Sequence, residues 1–399
     1  MKHDGELLKF TDAFIINLAP VPQKEPFYDA TGGPFTHSKI SKYVELYTED
    51  GIKGVCPCSS IMERTILPLI MTGEKKSFGQ WMHKVYWSCR NSGFDGETAG
   101  EVGKLEYLLT DILAKRADMP FHRFLGALKD SVTVYGSGGS THLSGADLAG
   151  EMEHFMDCGH KTVKMKVGTD FATKLDYDVE RVRLVRETIG PDAELAIDGN
   201  HSFTVREALR FADKVQKYNI AWFEEPIHGF DFRGYGELTE SCPVPVAAGE
   251  SVRNHYMFTP YLDAGIRHFQ PVPSSFAGVW EWMQVRDMAV RSGIRFSSGG
   301  LPLLACPLIA TAGDEAMEEF LVGIKQKECI FLTLPGEGML FEDIGEPTKG
   351  TLTLMKNTWG YMPIRIEAEG NFIKVLRPEI STEDFVGNAH EIEYVVRPE

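Results

Sequence analysis

The sequence of 399 residues has no long apolar run and no surplus of basic residues. No unbroken apolar stretch reaches the roughly 18 residues that a membrane-spanning helix needs, and the first residues contain no apolar core of signal-peptide length. Lys and Arg number 41 against 57 Asp and Glu, so the formal net charge is −16 and there is no clustered basic patch for nucleic acid or an anionic membrane. These absences predict a cytoplasmic protein that binds neither nucleic acid nor membrane.

Cysteine usage argues against a protein built on disulfides. The seven cysteines are scattered and odd in number, so a complete disulfide framework is excluded. What is present, 43% apolar and 25% charged residues, is ordinary for a globular enzyme. The length leaves room for one large barrel and a second domain.

The hydrophobic pattern predicts two kinds of structure along the chain. Near the start, apolar residues of period 2 flank Asp50-Gly51 and predict an antiparallel hairpin, which is followed by a helix that ends before Pro120. Further on, strand and helix patterns alternate strictly, with strand segments near residues 131, 162, 194, 221, 244, 268, 294 and 319. Eight such units predict an α/β protein with a closed barrel rather than an open doubly wound sheet.

This alternation divides the chain into three predicted parts. Residues 1–128 form an α+β unit, and residues 129–335 form the barrel. Residues 336–399 are first rich in Gly and Pro and then β-like, and we expect this segment to return to the first domain.

Three acidic residues recur at an even spacing in the barrel segment. Asp198, Glu224 and Glu250 lie 26 residues apart each time, which fits one strand, one helix and two loops. In a parallel β/α barrel this spacing places each carboxylate at the C-terminal end of a strand, where the active site of that fold is built. Oxygen ligands without Cys or His favour Mg²⁺. The competing interpretation, that each acid caps the following helix, weakens when three are in phase.

Lys164 and Lys166 lie at the end of the predicted second strand. Residues i and i+2 of a strand point to the same face, so both ammonium groups are expected to enter the barrel mouth beside the metal. Two adjacent cations disfavour protonation, so we expect the pKa of at least one lysine to fall towards the working pH and provide an amine base. A solvated surface pair is the alternative for such a motif taken alone.

The ordered motifs KMKVG, DGN, FEEP and GES resemble the enolase superfamily, in particular its mandelate racemase and muconate lactonizing branch. GHKTV and MPFHRFLGA precede them, and the similarity runs from VELYTEDGIKG to about residue 325. The resemblance implies a modified (β/α)7β TIM-like barrel closed by an α+β capping domain, which the N-terminal region and the C-terminal segment form. It also implies Mg²⁺ bound by Asp198, Glu224 and Glu250, and a Lys base on the second strand that abstracts the α-proton of a carboxylate to give an enediolate.

The sequence departs from this family on the opposite side of the barrel. Many racemase-like members carry a His on the seventh strand and an Asp on the sixth, but these segments read IRFSSGG and HFQPVPSS here. Other members carry a Lys on the sixth strand, and no Lys occurs between Lys217 and Lys325. A single base, Lys166 with Lys164 beside it, suffices for β-elimination of water, so the sequence predicts a Mg²⁺-dependent lyase, an acid-sugar dehydratase.

Two alternatives stay open at this point. One is a racemase, epimerase or cycloisomerase of another carboxylate. The other is a catalytically inactive enolase-like protein with a binding or regulatory role, which the missing His and Asp favour and the intact lysines and acids oppose. We expect a small-molecule carboxylate substrate and a homo-oligomer.

The remaining candidates concern substrate binding and the acid that protonates the leaving hydroxyl. By resemblance, the loops near residues 20–36 and 56–60 set specificity, and Tyr28 belongs to the first. Other polar side chains stand at predicted strand ends or in the loops that follow them. We assign substrate contacts to Tyr28, Asn200, His201, His228, Arg253 and Glu319, with His201, His228 and the metal as the candidates for assisting the leaving hydroxyl.

Overall fold

The computed structural model describes residues 5–19, 22–37, 41–127, 129–321, 330–333, 348–357, 360, 362–368 and 373–396. The predicted boundaries at residues 128 and 335 lie outside these residues, as do Pro20 and Val21 of the predicted specificity loop. Within the described residues, no helix has both the length and the apolar character required to cross a membrane.

The N-terminal region combines short antiparallel sheets with helices. The strands of this region are β1 (Leu7–Leu8), β2 (Phe10–Asn17), β3 (Pro22–Phe27), β4 (Phe35–His37), β5 (Lys42–Thr48), β6 (Lys53–Pro57) and β7 (Lys76–Ser77). The helices of this region are α1 (Leu67–Ile70), which a π-helix at Met62–Ile66 precedes, α2 (Phe78–Ser88), α3 (Glu97–Arg116) and α4 (Phe121–Phe124). Strands β2, β5 and β6 form a three-stranded sheet, in which β5 and β6 are the predicted hairpin around the Asp50-Gly51 turn.

Eight parallel strands then close into a barrel, as the sequence predicts. The strands are β8 (Thr133–Gly138), β9 (Thr162–Lys166), β10 (Glu194–Asp198), β11 (Ile220–Glu224), β12 (Val246–Ala248), β13 (His268–Phe269), β14 (Arg295–Ser298) and β15 (Met317–Leu321). The helices are α5 (Gly145–Asp157), α6 (Thr169–Ala172), α7 (Leu175–Ile189), α8 (Val205–Val215), α9 (Phe232–Ser241), α10 (Phe258–Asp263), α11 (Val279–Ser292) and α12 (Pro302–Ile309). Closure occurs between β15 and β8, where Glu318 pairs with Val134.

Packed side chains fill the barrel interior towards the N-terminal ends of the strands. Trp222 is fully buried there, with Tyr135 and Met317 among its neighbours. The guanidinium of Arg295 lies 4.6 Å from the centre of the Trp222 ring and binds Glu194 at 2.6 Å. Chemistry is therefore confined to the opposite end, where the strands finish.

The C-terminal strands contact the N-terminal sheet. Lys53 Nζ donates to the carbonyl of Phe385 at 2.6 Å, and the amide of Gly387 donates to Glu45 Oε2 at 2.9 Å. The strands are β16 (Ile330–Thr333), β17 (Thr348–Lys356), β18 (Pro363–Arg365), β19 (Ile373–Val375), β20 (Glu379–Ser381) and β21 (Ala389–Val396). These contacts join the two ends of the chain, while the division into capping and barrel domains stays a prediction.

Candidate active site

The three in-phase acids meet at the C-terminal ends of neighbouring strands. Asp198 ends β10 and pairs in register with Glu224, which ends β11, while Glu250 follows β12 by two residues. One carboxylate oxygen from each of the three lies within 4.8 Å of the others. Asp198 and Glu224 are buried and Glu250 is partly exposed, so the cluster opens towards the barrel mouth.

Both lysines of β9 reach this cluster from one side. Lys166 Nζ lies 2.6 Å from Asp198 Oδ2. Lys164 Nζ contacts Glu224 Oε1 and lies 2.9 Å from Glu319 Oε1 on β15. These side chains are nearly inaccessible to solvent, so Coulomb interactions between their alternating charges are strong.

Burial and the neighbouring charges shift the pKa values of the acids. Burial and the neighbouring acids Asp198 and Glu319 raise the pKa of Glu224, even though the Lys164 ammonium contacts it. The pKa of Asp198 is instead held below its usual range, because the ammonium groups of Lys166 and Lys164 outweigh the effect of its burial. The four carboxyl groups of Asp198, Glu224, Glu250 and Glu319 outnumber the two ammonium groups, so ionisation of all four acids at once is disfavoured in this arrangement.

The expected fall of a lysine pKa is wrong for this arrangement. Burial alone would lower the pKa of Lys166, but the carboxylates of Asp198, Glu250 and Glu319 outweigh both burial and the repulsion from Lys164 and raise it. The pKa of Lys164 is likewise raised, because Glu224 and Glu319 outweigh its burial. The sequence shows that the two cations are adjacent, but their contacts with carboxylates depend on the folded geometry.

Gln270 is a site residue that the sequence analysis missed. It follows β13, and its Nε2 donates to Glu224 Oε2 at 2.6 Å, while the indole Nε1 of Trp222 donates to the same oxygen at 3.1 Å. Its own Oε1 is buried without a hydrogen-bond partner among the described residues. Its position at the end of the sixth barrel strand, where the family often has an acid, was the available signal.

His201 belongs to a hydrogen-bond network that joins two loops. Its Nδ1 lies 2.8 Å from the Ile227 carbonyl, and its Nε2 lies 2.8 Å from Glu225 Oε2 and 2.7 Å from Ser251 Oγ. Burial lowers the pKa of His201, but the hydrogen bond and charge of Glu225 outweigh burial and raise it to about 9. Asn200, His201 and Glu225 all have positive φ, so this hydrogen-bond network stabilises a backbone conformation that non-glycine residues rarely adopt.

The other predicted residues lie around the mouth in different roles. The main-chain amide of Asn200 donates to Asp198 Oδ1 at 3.0 Å. Arg253 Nη1 donates to the carbonyl of Glu250 at 3.0 Å, so it braces the loop of the third acid. His228 is exposed, and its ring centre lies 6.2 Å from that of His201.

Tyr28 reaches the barrel from the N-terminal region. Its amide donates to Ser140 Oγ at 2.6 Å and its carbonyl accepts from the amide of Thr141 at 3.0 Å, both in the loop after β8. Its ring lies 4.8 Å from the ring of His142. His142 is a second residue missed by the sequence analysis, because it belongs to no motif and only the contact with Tyr28 draws attention to it.

A family model described as enolase C-terminal domain-like matches residues 147–354, more than half of the chain. The chain belongs to the enolase superfamily, in its mandelate racemase and muconate lactonizing branch. The part of this enolase-superfamily chain matched by the model includes Lys164, Lys166, all three acids and Glu319. A second model, for the N-terminal part of a family of unknown function, matches residues 310–399.

Two relatives of this enolase-superfamily chain are dehydratases by name. It is 28% identical over 284 residues to arabinonate dehydratase of Saccharolobus solfataricus, covering 67% of this chain and 75% of the relative. It is 28% identical over 295 residues to L-talarate/galactarate dehydratase of Salmonella typhimurium, covering 70% and 73%. A racemase from Streptomyces coelicolor, solved with bound magnesium, aligns with a TM-score of 0.71 at 22% identity over 78% of this chain and 89% of its own, a likeness that shows the fold alone.

Proposed function

We propose that this protein is a Mg²⁺-dependent hydro-lyase that removes water from an acid sugar. The observation that carries this proposal is the asymmetry of the barrel mouth. Lys166 stands on β9, and the strand diametrically opposite in the eight-stranded order is β13. The polar residue that follows β13 is Gln270, and β14 ends in Ser298. Neither of these two side chains can act as a second base.

His268 does not replace the missing base. It lies on β13 two residues before Gln270, one layer deeper in the barrel, and is fully buried against Trp222 with their ring centres 4.8 Å apart. Burial and the positive charges of Arg295 and Lys164 lower its pKa far below the ordinary value. A group in this packed layer cannot reach a substrate at the mouth.

Asp198, Glu224 and Glu250 are the residues that would hold Mg²⁺. The donor set fits this ion, because it consists of three close carboxylates without Cys or His, whose mutual repulsion a cation would relieve. When bound, Mg²⁺ supplies charge stabilisation to the dianion that α-proton abstraction creates. Trp222 and Gln270 would fix the orientation of Glu224 through its second oxygen.

Lys166 is proposed as the base and Lys164 as an electrostatic partner. Lys166 lies in the same cluster as the three acids, and a Mg²⁺ ion bound to those acids would disfavour the protonated form of Lys166 and so favour the neutral amine that proton abstraction requires. Lys164 is fully enclosed by Glu224, Glu319 and Asp198, which suits a fixed positive charge better than a proton carrier. Replacing Lys166 with Ala should abolish exchange of the substrate α-proton, whereas Lys164→Ala should slow the exchange and leave it measurable.

The reaction type can be tested in D₂O. The protein is incubated with Mg²⁺ and a library of acid sugars that includes arabinonate, L-talarate and galactarate, and products are identified by proton NMR. A 2-keto-3-deoxy acid with deuterium at C3 supports dehydration. Inversion at C2 with deuterium there and no loss of water supports the racemase or epimerase alternative, and complete absence of exchange supports a non-catalytic role.

A further inference from the structure

Dehydration requires an acid for the leaving hydroxyl, and the two histidines proposed from sequence are poorly suited to it. His201 directs both ring nitrogens at protein groups, namely the carbonyl of Ile227 on one side and Glu225 with Ser251 on the other. His228 is exposed in the loop after β11, where its Nδ1 accepts from the amide of Phe230 at 3.3 Å. Among the described residues, one further histidine, His142, lies in a loop that follows the C-terminal end of a barrel strand and contacts Tyr28 of the N-terminal loop.

The ring of His142 is oriented by its partners. Its Nδ1 lies 2.7 Å from Ser140 Oγ, and Ser140 is itself fixed, because its Oγ accepts from the amide of Tyr28 at 2.6 Å and donates to the carbonyl of Tyr28 at 2.9 Å. The tilted ring of Tyr28 covers one side of the imidazole. The Nε2 atom has no hydrogen-bond partner within the described part of the chain and is therefore available to a substrate.

The loop that carries His142 is tied to the strand that carries the base. The main-chain amide of Lys166 donates to the carbonyl of Gly139 at 3.2 Å. The buried guanidinium of Arg181 donates to the carbonyls of Lys166 at 2.8 Å, Gly139 at 2.7 Å and Ser140 at 2.9 Å. One arginine thus fixes the main chain of the base and the main chain of the His142 loop relative to each other.

We infer that His142 is the general acid of the dehydration and that Tyr28 and Ser140 are its positioning residues; this inference rests on the proposed function. The neutral amine of Lys166 takes the proton from C2, and the electron pair of the broken C–H bond enters the enediolate. That pair then forms the C2–C3 double bond as the C3–O bond breaks. The departing oxygen takes the Nε2 proton of the His142 imidazolium and leaves as water, and His142 becomes the neutral tautomer that keeps its Nδ1 hydrogen on Ser140 Oγ. The enol tautomerises to the keto acid, and both side chains return to their starting protonation states by exchange with solvent.

A substrate whose leaving group needs no proton distinguishes a side chain that acts as the acid from one that acts in proton abstraction. A fluoride ion leaves without being protonated, so a 3-deoxy-3-fluoro acid sugar depends on Lys166 but not on His142. The experiment compares wild type, His142→Asn and the control His154→Asn, which replaces an exposed histidine of α5, with arabinonate, L-talarate and galactarate and with their 3-deoxy-3-fluoro analogues. Keto-acid formation, fluoride release and deuterium exchange at C2 are measured for each.

We expect His142→Asn to lower dehydration of the hydroxy substrate by about 100-fold or more, the usual contribution of a general acid. Fluoride release and C2 exchange should stay within about threefold of wild type, and His154→Asn should leave all three rates near wild type. Because His142 is exposed, its replacement should preserve the fold, and circular dichroism checks this.

Dehydration by His142→Asn at the wild-type rate would overturn the inference. An equal loss of fluoride release would also overturn it, because His142 would then position the substrate without supplying a proton. A wild-type protein that neither exchanges C2 nor forms keto acid with any of the three sugars would contradict the proposed function itself, and that result is distinguishable because the unmodified enzyme shows it.

Discussion

The carboxylate of Glu224 is held at both oxygens, by Lys164 at one and by Trp222 and Gln270 at the other. An isosteric Glu224→Gln change keeps the shape but removes the charge, and its amide nitrogen would face either a cation or two hydrogen-bond donors. Since changes in partners of metal ligands already lower metal affinity by roughly 10–100-fold, we expect this loss to lower Mg²⁺ affinity by at least about 100-fold. Isothermal titration calorimetry measures it, with exposed Glu240→Gln as the control, and an unchanged Mg²⁺ affinity would remove Glu224 from the proposed ligand set.

His201 should make the stability of the protein depend on pH. Its pKa is raised from 6.5 to about 9 in the folded state. The folded protein binds the His201 proton more tightly than the unfolded chain does, so protonation of His201 stabilises the fold. This contribution should be complete below about pH 6.5 and should disappear as the pH rises through about 9. Its size should be at most about 3 kcal/mol.

Urea unfolding of metal-free wild type and His201→Gln at several pH values measures this dependence. The difference in the free energy of unfolding between the two proteins should be largest near pH 6 and shrink towards pH 10. A constant difference would mean that His201 acts through packing or through neutral hydrogen bonds alone.

At the scale of single residues, the three acids that meet at the barrel mouth could be predicted to converge because both their residue type and their even spacing carry information. Asp198, Glu224 and Glu250 could be found because acids at strand ends repeat with the β/α unit. Gln270 and His142 could not, because an amide or an imidazole has no distinctive spacing, and its importance depends on contacts across the barrel. The direction of the lysine pKa shift was also wrong because it depends on charges far apart in sequence.

At the scale of elements, the predicted strand positions follow the observed barrel closely because its strands are short, buried and bounded by turn signals. The helix predicted to end before Pro120 corresponds to α3, which begins at Glu97 and ends at Arg116. Its early part contains Gly100 and Gly103, residues that weaken a helical pattern in sequence. These glycines belong to the helix because α3 approaches the barrel closely at that point.

Gly103 permits this approach between α3 and the loop before α11. A Cβ at Gly103 would collide with the carbonyl oxygen of Phe276 and the amide nitrogen of Gly278. We therefore expect Gly103→Ala to lower the free energy of unfolding by about 1–3 kcal/mol through overpacking.

Gly150 in α5 is the matched control. It is a helical glycine with nothing within 4 Å of an added Cβ, so Gly150→Ala should be neutral or stabilising by about 1 kcal/mol at most. Chemical denaturation of both variants tests the difference. If Gly103→Ala were as stable as Gly150→Ala, the tight contact between α3 and the barrel loop would be wrong.

At the scale of the whole molecule, exposed aromatic side chains gather where α2 and the α2–α3 connection meet the barrel. Trp87 is 49% exposed, Phe94 40% and Tyr256 69%, and they line a cavity of about 250 Å³. Exposed apolar groups concentrated in this way mark contact surfaces more often than chance, whereas isolated ones need no explanation. This surface is where we expect the homo-oligomer predicted from sequence to form.

A charge placed on this surface should weaken self-association without disturbing the fold. Tyr256→Glu puts a carboxylate near Glu281, which already lines the cavity, so the like charges would oppose burial against a second copy. Sedimentation velocity should show wild type as an oligomer and Tyr256→Glu shifted towards monomer. Val386→Glu, which replaces a similarly exposed apolar residue in the C-terminal segment, should sediment like wild type. A monomeric wild type would refute the predicted oligomer, and an oligomer that persists in Tyr256→Glu would place its interface elsewhere on the molecule.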